Sequence, residues 1–218
     1  MRQHIAFLHT SPVHVETFER LVRDAYPALK VEHLVREDLL AEAQQVGPTS
    51  PILIARVHDA MRSASSSGAS IVACTCSTIG GAAERTPTEG CFLAVRIDRA
   101  MADKAVKLGP KILVVAALES TLQPTIELIQ ESASQSNLKI ELQVALARDA
   151  WPHFTKGNRD SYIQAVVQAV RSEPIHANVI VLAQASMAPA VECLQELGVE
   201  VLSSPSIGVQ EILERLSQ

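Results

Sequence analysis

Leu29-Lys30-Val31-Glu32 comes back as Leu138-Lys139-Ile140-Glu141, and the interval of 109 residues is half of the 218-residue chain. The same interval carries Arg62-Ser63 onto Arg171-Ser172, and Ile54, Val57 and Ala60 onto Ile163, Val166 and Ala169. A period of half the chain means one structural unit used twice. No single large sheet with one continuous strand order satisfies such a repeat as simply as two similar lobes do.

The content of each half follows from hydrophobic periodicity. Ile5 to Leu8, the run from Ile71, Phe92 to Val95, Ile112 to Ala117 and Val179 to Leu182 are short apolar runs, as strands buried on both faces require. Leu29 to Val35 and Leu138 to Val144 alternate apolar with polar residues, which suits strands near a sheet edge. Val199 to Leu202 is a last strand. Between them lie helical patterns. Val13, Phe18, Leu21 and Val22 share one face until Pro27. Ser50 and Pro51 open a helix that turns Ile54, Val57, Ala60 and Met61 inward. Asp98 caps one that runs to Leu108, where Gly109-Pro110 stops it. Further helices are expected after Pro124, around Tyr162, Val166, Ala169 and Val170, from Met187 to Leu197, and from Ile207 to Leu216.

Strands alternating with helices at this spacing define an α/β fold with parallel sheets. The expected architecture is therefore two pseudo-symmetric lobes, each a parallel β-sheet flanked by helices, with the active site in the cleft between them. Residues 1–96 with 205–218 form the first lobe and 97–204 the second.

Composition narrows the function. Hydrophobic residues make up 47% of the chain but aromatics only 3%, so Ala, Val, Ile and Leu must fill the core. The net charge of -5, with both signs scattered, offers no footprint for nucleic acid and no polybasic membrane patch. The apolar runs are too short to span a bilayer. Ile5 to Leu8 reads as a strand rather than a signal peptide, and four cysteines without framework spacing read as reduced thiols, so a cytoplasmic location is expected. Cys74 and Cys76 form a lone C-x-C with no second Cys/His pair, hence no metal site. With no G-x-G-x-x-G turn and no lysine at a strand end, no cofactor is expected either. Assembly into a homo-oligomer stays open.

The stretch from Ile71 to Glu84 concentrates the chemistry. It passes from an apolar run through Cys76-Ser77-Thr78 into small residues that suit a helix opening. A strand-to-helix turn lies at the carboxyl edge of a parallel sheet, where open α/β folds keep their ligands. Cys76 then sits at a helix N-terminus, whose positive end favours a thiolate and an anionic ligand. Cys74, two residues earlier, is read as core, as is Cys91.

The repeat places His9-Thr10-Ser11 opposite Leu118-Glu119-Ser120-Thr121, and Cys76-Ser77-Thr78 opposite Ala185-Ser186-Met187. Two facing helix N-termini and the hydroxyls of Ser11, Thr78, Thr121 and Ser186 suit a small carboxylate. The same hydroxyls could instead serve as helix caps. His9 is a candidate acid or base, His153 a candidate lid residue, and Asp38 a local cap.

With these residues the chain resembles the aspartate/glutamate racemase superfamily along essentially its whole length. The resemblance rests on the two like lobes, on Ile71 to Thr78 ending in the Cys-Asn-Thr-like Cys76-Ser77-Thr78, and on Val179 to Pro189 at the site of the second Cys-Thr motif. It implies cofactor-independent chemistry in which one thiolate removes the α-proton of an amino acid and a second thiol reprotonates the opposite face. It further implies Cys76 as the catalytic residue, with His9, Thr10, Ser11, Ser77, Thr78, Ser120, Thr121, Ala185 and Ser186 around the substrate. This sequence departs from the pattern at one point, because Ala185 stands where the second cysteine belongs and Cys193 lies about two helical turns further on.

Chemistry with one thiol remains. Cys76 could transfer a proton on one face, protonate an enolate after loss of carbon dioxide as decarboxylases of the superfamily do, or add to an activated double bond as cis–trans isomerases of the superfamily do. The competing class is a non-catalytic sensor of a small carboxylate. An enzyme calls for a Cys76 thiol of depressed pKa, whereas a sensor does not.

Overall fold

The computed structural model describes residues 4–217, and these form two compact units, 4–98 with 205–217 and 99–204. Each unit holds one four-stranded, all-parallel sheet with helices on its faces.

In the first unit, β1 (His4–His9), β2 (Lys30–Val35), β3 (Ile71–Cys74) and β4 (Leu93–Arg96) lie in the order β2-β1-β3-β4. The alternating segment is indeed the edge strand. Every residue of β1 and β3 is buried, because helices cover both faces. On one face Leu8, Val72 and Cys74 pack with Leu53, Val57 and Met61 of α3 (Pro51–Ser65) and Ile79 and Ala83 of α4 (Ser77–Glu84). On the other, Phe7 meets Phe18 of α1 (Val13–Ala25) with ring centroids 5.1 Å apart. Each Leu, Val or Ile removed from water here contributes about 1.5–3 kcal/mol.

The second unit repeats the plan with β5 (Lys111–Ala116), β6 (Glu141–Leu146), β7 (Val179–Leu182) and β8 (Glu200–Ser203) in the order β6-β5-β7-β8. Strands β1, β3 and β4 begin at 4, 71 and 93, and their counterparts begin 107, 108 and 107 residues later; for β2 and β6 the interval is 111. Leu113, Val115, Ile180 and Leu182 pack with Tyr162, Val166 and Val170 of α8 (Arg159–Arg171). Met101 and Val106 of α5 (Arg99–Leu108) and Leu128 and Ile129 of α6 (Glu119–Gln135) are also buried.

Several expectations need correction. The structure adds a helix over Glu37–Val46 (α2), of which only Leu39 and Ala43 are buried, so its apolar pattern in the sequence is faint. Helix α6 begins at Glu119 and carries Pro124 inside it. The proline sits near the N-terminus, where its missing N–H costs only the bond to the Ser120 carbonyl. The expected helix from Met187 to Leu197 is broken into a 3₁₀ turn at Ala185–Met187, the single turn α9 (Ala190–Cys193) and a second 3₁₀ turn at Gln195–Leu197. Pro189 interrupts it, and Gly198 ends it with a left-handed φ of 65°. A five-residue helix, α7 (Trp151–Thr155), precedes α8. The last helix, α10, spans Ser204–Leu216 and starts three residues before Ile207. Gly208 lets it approach closely, since a Cβ there would lie 2.2 Å from the Ile97 carbonyl oxygen. Cys91 is exposed rather than core, because it precedes β4 in a turn.

No helix among the described residues is long and apolar enough to cross a membrane.

Candidate active site

Strand β3 ends at Cys74, and the chain turns at Thr75 so that Cys76, in an extended conformation (φ −102°, ψ 113°), occupies the N-cap position of α4. Cys74 stays at 0% exposure, and burial drives its thiol far above the ordinary range. Cys76 is partly exposed. Its sulfur faces the side chains of Thr10 and Thr78 and the backbone N–H groups of Ile79 and Thr78. Two of these are the donors that a helix leaves unpaired at its N-terminus.

The shift at Cys76 runs opposite to the expected depression. Burial raises the Cys76 pKa, and the donors around the sulfur only partly oppose it. This direction is opposite to the depressed pKa that the enzymatic reading calls for, while Thr10, Thr78 and the two backbone N–H groups are in place to stabilise the charge once the proton leaves.

A buried ion pair fixes α4 from below. Arg96 at the end of β4 is 5% exposed and Asp98 is 1% exposed. Arg96 Nε and Nη2 donate to the two Asp98 carboxylate oxygens at 2.7 and 2.9 Å, and Nη2 reaches the Ser77 carbonyl at 3.4 Å. Burial alone would raise the Asp98 pKa, but Arg96 and the Ser77 side chain outweigh it and hold the carboxyl below its usual range. The guanidinium lies against Gly80, where an added Cβ would come within 2.9 Å of Arg96 Nε. Ser77 and Thr78 are both buried at the start of the helix.

His9 closes β1 at 0% exposure. Its Nδ1 pairs with Thr75 Oγ1 at 2.8 Å and its Nε2 with His33 Nδ1 at 2.8 Å, so both ring nitrogens are engaged inside the unit. His33 Nε2 meets Glu19 Oε2 at 3.0 Å, and Glu19 is paired with Arg23. Burial, with His33 and His14 nearby, lowers the His9 pKa to about 3, and burial lowers that of His14 to about 4. Thr10 is buried, whereas Ser11 is half-buried and its carbonyl accepts the His14 N–H at 3.4 Å.

These two histidines make a pH prediction. Their folded pKa values lie below the unfolded value of about 6.5, so the unfolded chain binds more protons in that window. The stability they contribute is complete above about pH 6.5 and declines as pH falls toward 3–4. The loss is about 1.4 kcal/mol per pH unit for each group. Urea unfolding at pH 7.5 and pH 5 should show it, and His9→Asn should flatten the slope.

In the second unit, Ser120 and Thr121 lie in the first turn of α6. The Ser120 hydroxyl is buried without a hydrogen-bond partner among the described residues, and the Thr121 carbonyl accepts the Thr125 hydroxyl at 2.9 Å. Beyond β7, Gln184 Oε1 accepts the Ala117 N–H at 2.6 Å, Ala185 is 7% exposed, and Ser186 Oγ lies 2.7 Å from the Tyr162 hydroxyl. The segment at Ala185 is a single 3₁₀ turn, so it does not provide the helix N-terminus expected there. His153 is half-buried on α7, and Asp38 is paired with Arg36 and Arg56.

Thr75, His33, Glu19, Arg96 and Tyr162 are brought to these strand ends by the fold, although nothing in their local sequence marks them. Among the described residues no group of three or more His, Cys, Asp or Glu is placed to hold a metal ion.

The fold is that of several solved racemases. A glutamate racemase isoform from Bacillus anthracis superposes with a TM-score of 0.73 at 17% identity, over 99% of this chain and 82% of that one. An aspartate racemase homologue from Pyrococcus horikoshii gives 0.68 at 16% identity, over 100% of both chains. A mutant of arylmalonate decarboxylase in its sulfate-associated form gives 0.61 at 16% identity, over 98% of this chain and 93% of that one. At such identities the likeness is one of fold. No family model matches the chain, and no curated protein matches its sequence.

Proposed function

We propose that this chain is an isomerase-type enzyme of the racemase superfamily that acts on a small carboxylate, with Cys76 as its single proton-transferring thiol and without a cofactor. The observation that carries the reading is the seat of Cys76: a sulfur at the N-terminus of α4, facing Thr10, Thr78 and two backbone N–H groups. In the proposed step the Cys76 thiol first gives its proton to water, the donors around the sulfur taking up the charge, and the thiolate then takes the proton from the carbon next to the carboxylate, forming S–H and an enolate. Return of a proton by the same thiol to that face only exchanges the hydrogen, so net isomerisation takes its proton from water on the other face. Ala185 has no group that could serve as a second acid.

A second reading draws on the raised Cys76 pKa, which favours the thiol as a proton donor. A substrate that loses carbon dioxide leaves an enolate, and Cys76 donates its proton to that carbon. The thiolate is then held by the surrounding donors until water reprotonates it.

The test is a panel of amino acids, hydroxy acids and substituted malonates incubated with the protein in deuterated water. Deuterium at the carbon beside the carboxylate is the expected result, with or without release of carbon dioxide. Binding of a carboxylate without exchange or turnover of any panel member would leave a sensor and sink the enzyme.

A further inference from the structure

The hydrogen bonds from Thr75 to Glu19 leave no gap. Thr75 Oγ1, His9, His33 and Glu19 are joined by three contacts of 2.8, 2.8 and 3.0 Å, and Thr75 Oγ1 also has the Leu8 carbonyl at 3.3 Å. Two complete patterns of donors fit these atoms. In the first, Thr75 O–H donates to His9 Nδ1, His9 Nε2–H to His33 Nδ1, and His33 Nε2–H to the Glu19 carboxylate. In the second, one proton has been added and His33 carries both of its N–H groups. His33 Nδ1–H then donates to His9 Nε2, His9 Nδ1–H to Thr75 Oγ1, and Thr75 O–H to the Leu8 carbonyl. His9 stays neutral in both and only exchanges one tautomer for the other.

We propose that Glu19, His33, His9 and Thr75 form a one-proton switch beneath the Cys76 turn, in which protonation of His33 reverses every hydrogen bond as far as Thr75. The outer end is open to protons, since the side chains of His33 and Glu19 are 13% and 35% exposed, while Thr75 and His9 are buried. The inner end adjoins the thiol, since Thr75 precedes Cys76 and His9 precedes Thr10, whose side chain faces the sulfur. The other ionisable groups around the chain are His14, whose ring centroid lies 6.3 Å from that of His9, and Arg23, paired with Glu19. Phe7 and Phe18 pack the remaining sides of the rings. A proton on His33 adds positive charge to this face and favours the Cys76 thiolate. Glu19 and His33 are thus positioning residues for Cys76. That last role rests on the one-thiol reading above; the switch itself does not.

Nitrogen-15 histidine spectra of the full chain from pH 5 to pH 8.5 test the switch without any substrate. As the pH rises, His9 should change from the Nδ1–H to the Nε2–H tautomer in a single one-proton step. His33→Gln should leave His9 in one tautomer throughout. A wild-type His9 that keeps one tautomer across the range, or becomes doubly protonated within it, overturns the proposal. The link to Cys76 is read from its alkylation by iodoacetamide in a Cys91→Ser, Cys193→Ser background. Below the switch the rate should lie several-fold above the line extrapolated from the alkaline limb, and His33→Gln should restore a single line. Coincident profiles for the two proteins overturn the positioning role. A protein inactive on every carboxylate would leave both readouts standing, so failure of the switch and failure of the enzymatic reading are told apart.

Discussion

Cys76→Ala should lower the rate of deuterium incorporation into the substrate by about 10²–10⁴-fold, the usual contribution of a positioned acid or base. Carboxylate affinity should change far less, because the N–H groups of Thr78 and Ile79 remain at the start of α4 and the Thr10 hydroxyl is untouched. Cys74→Ala is the matched control. It removes a sulfur two residues away that is 0% exposed and packed in the core, so it should cost some stability and leave exchange nearly intact. The split between rate and affinity, measured by nuclear magnetic resonance exchange and by calorimetry, separates a catalytic thiol from a structural one. Full exchange in Cys76→Ala would end the one-thiol mechanism.

Arg96→Met should destabilise the protein by about 3–5 kcal/mol, because it leaves the Asp98 carboxylate buried without its partner. Both side chains are at most 5% exposed, so water cannot replace the lost guanidinium. Urea unfolding at pH 7 measures the loss. The double variant Arg96→Met, Asp98→Leu should recover much of it, since removing both charges relieves the desolvation penalty. Asp98 has a depressed folded pKa, so its contribution is complete above the unfolded value of about 3.9 and is lost only as pH falls through the folded value. A single variant that unfolds at the wild-type urea midpoint would show that the pair does not brace α4.

Much of the architecture was legible because it depends on local pattern. Runs such as Ile71 to Ala73 and Val179 to Leu182 have no polar face and must be covered on both sides, which only a helix-flanked parallel sheet provides. The turn that exposes Cys76 and buries Cys74 was readable for the same reason, since small residues follow an apolar run. Local pattern and structure part where the local signals are weak or divided. Pro124 reads as a helix start but stands inside α6, and Pro189 and Gly198 break a segment that its apolar residues alone would make continuous.

The charge state of the site was not legible. A helix N-terminus argues for a thiolate, yet the crowding around Cys76 outweighs it, and crowding is a property of packed neighbours. His33 illustrates the same limit. In sequence it is one polar residue of an alternating edge strand; in the parallel register it stands opposite Phe7, and its ring reaches His9 on one side and Glu19 on the other.

By itself, then, the order of residues determined the repeated α/β plan and the strand-end turn that carries Cys76, because periodicity and turn chemistry act over a few residues. Only the tertiary structure decided that burial raises the Cys76 pKa, that Arg96 and Asp98 brace the helix beneath it, and that Glu19, His33, His9 and Thr75 join into one chain. Those outcomes depend on desolvation and on contacts such as His9 with Thr75, 66 residues apart, which no local pattern encodes.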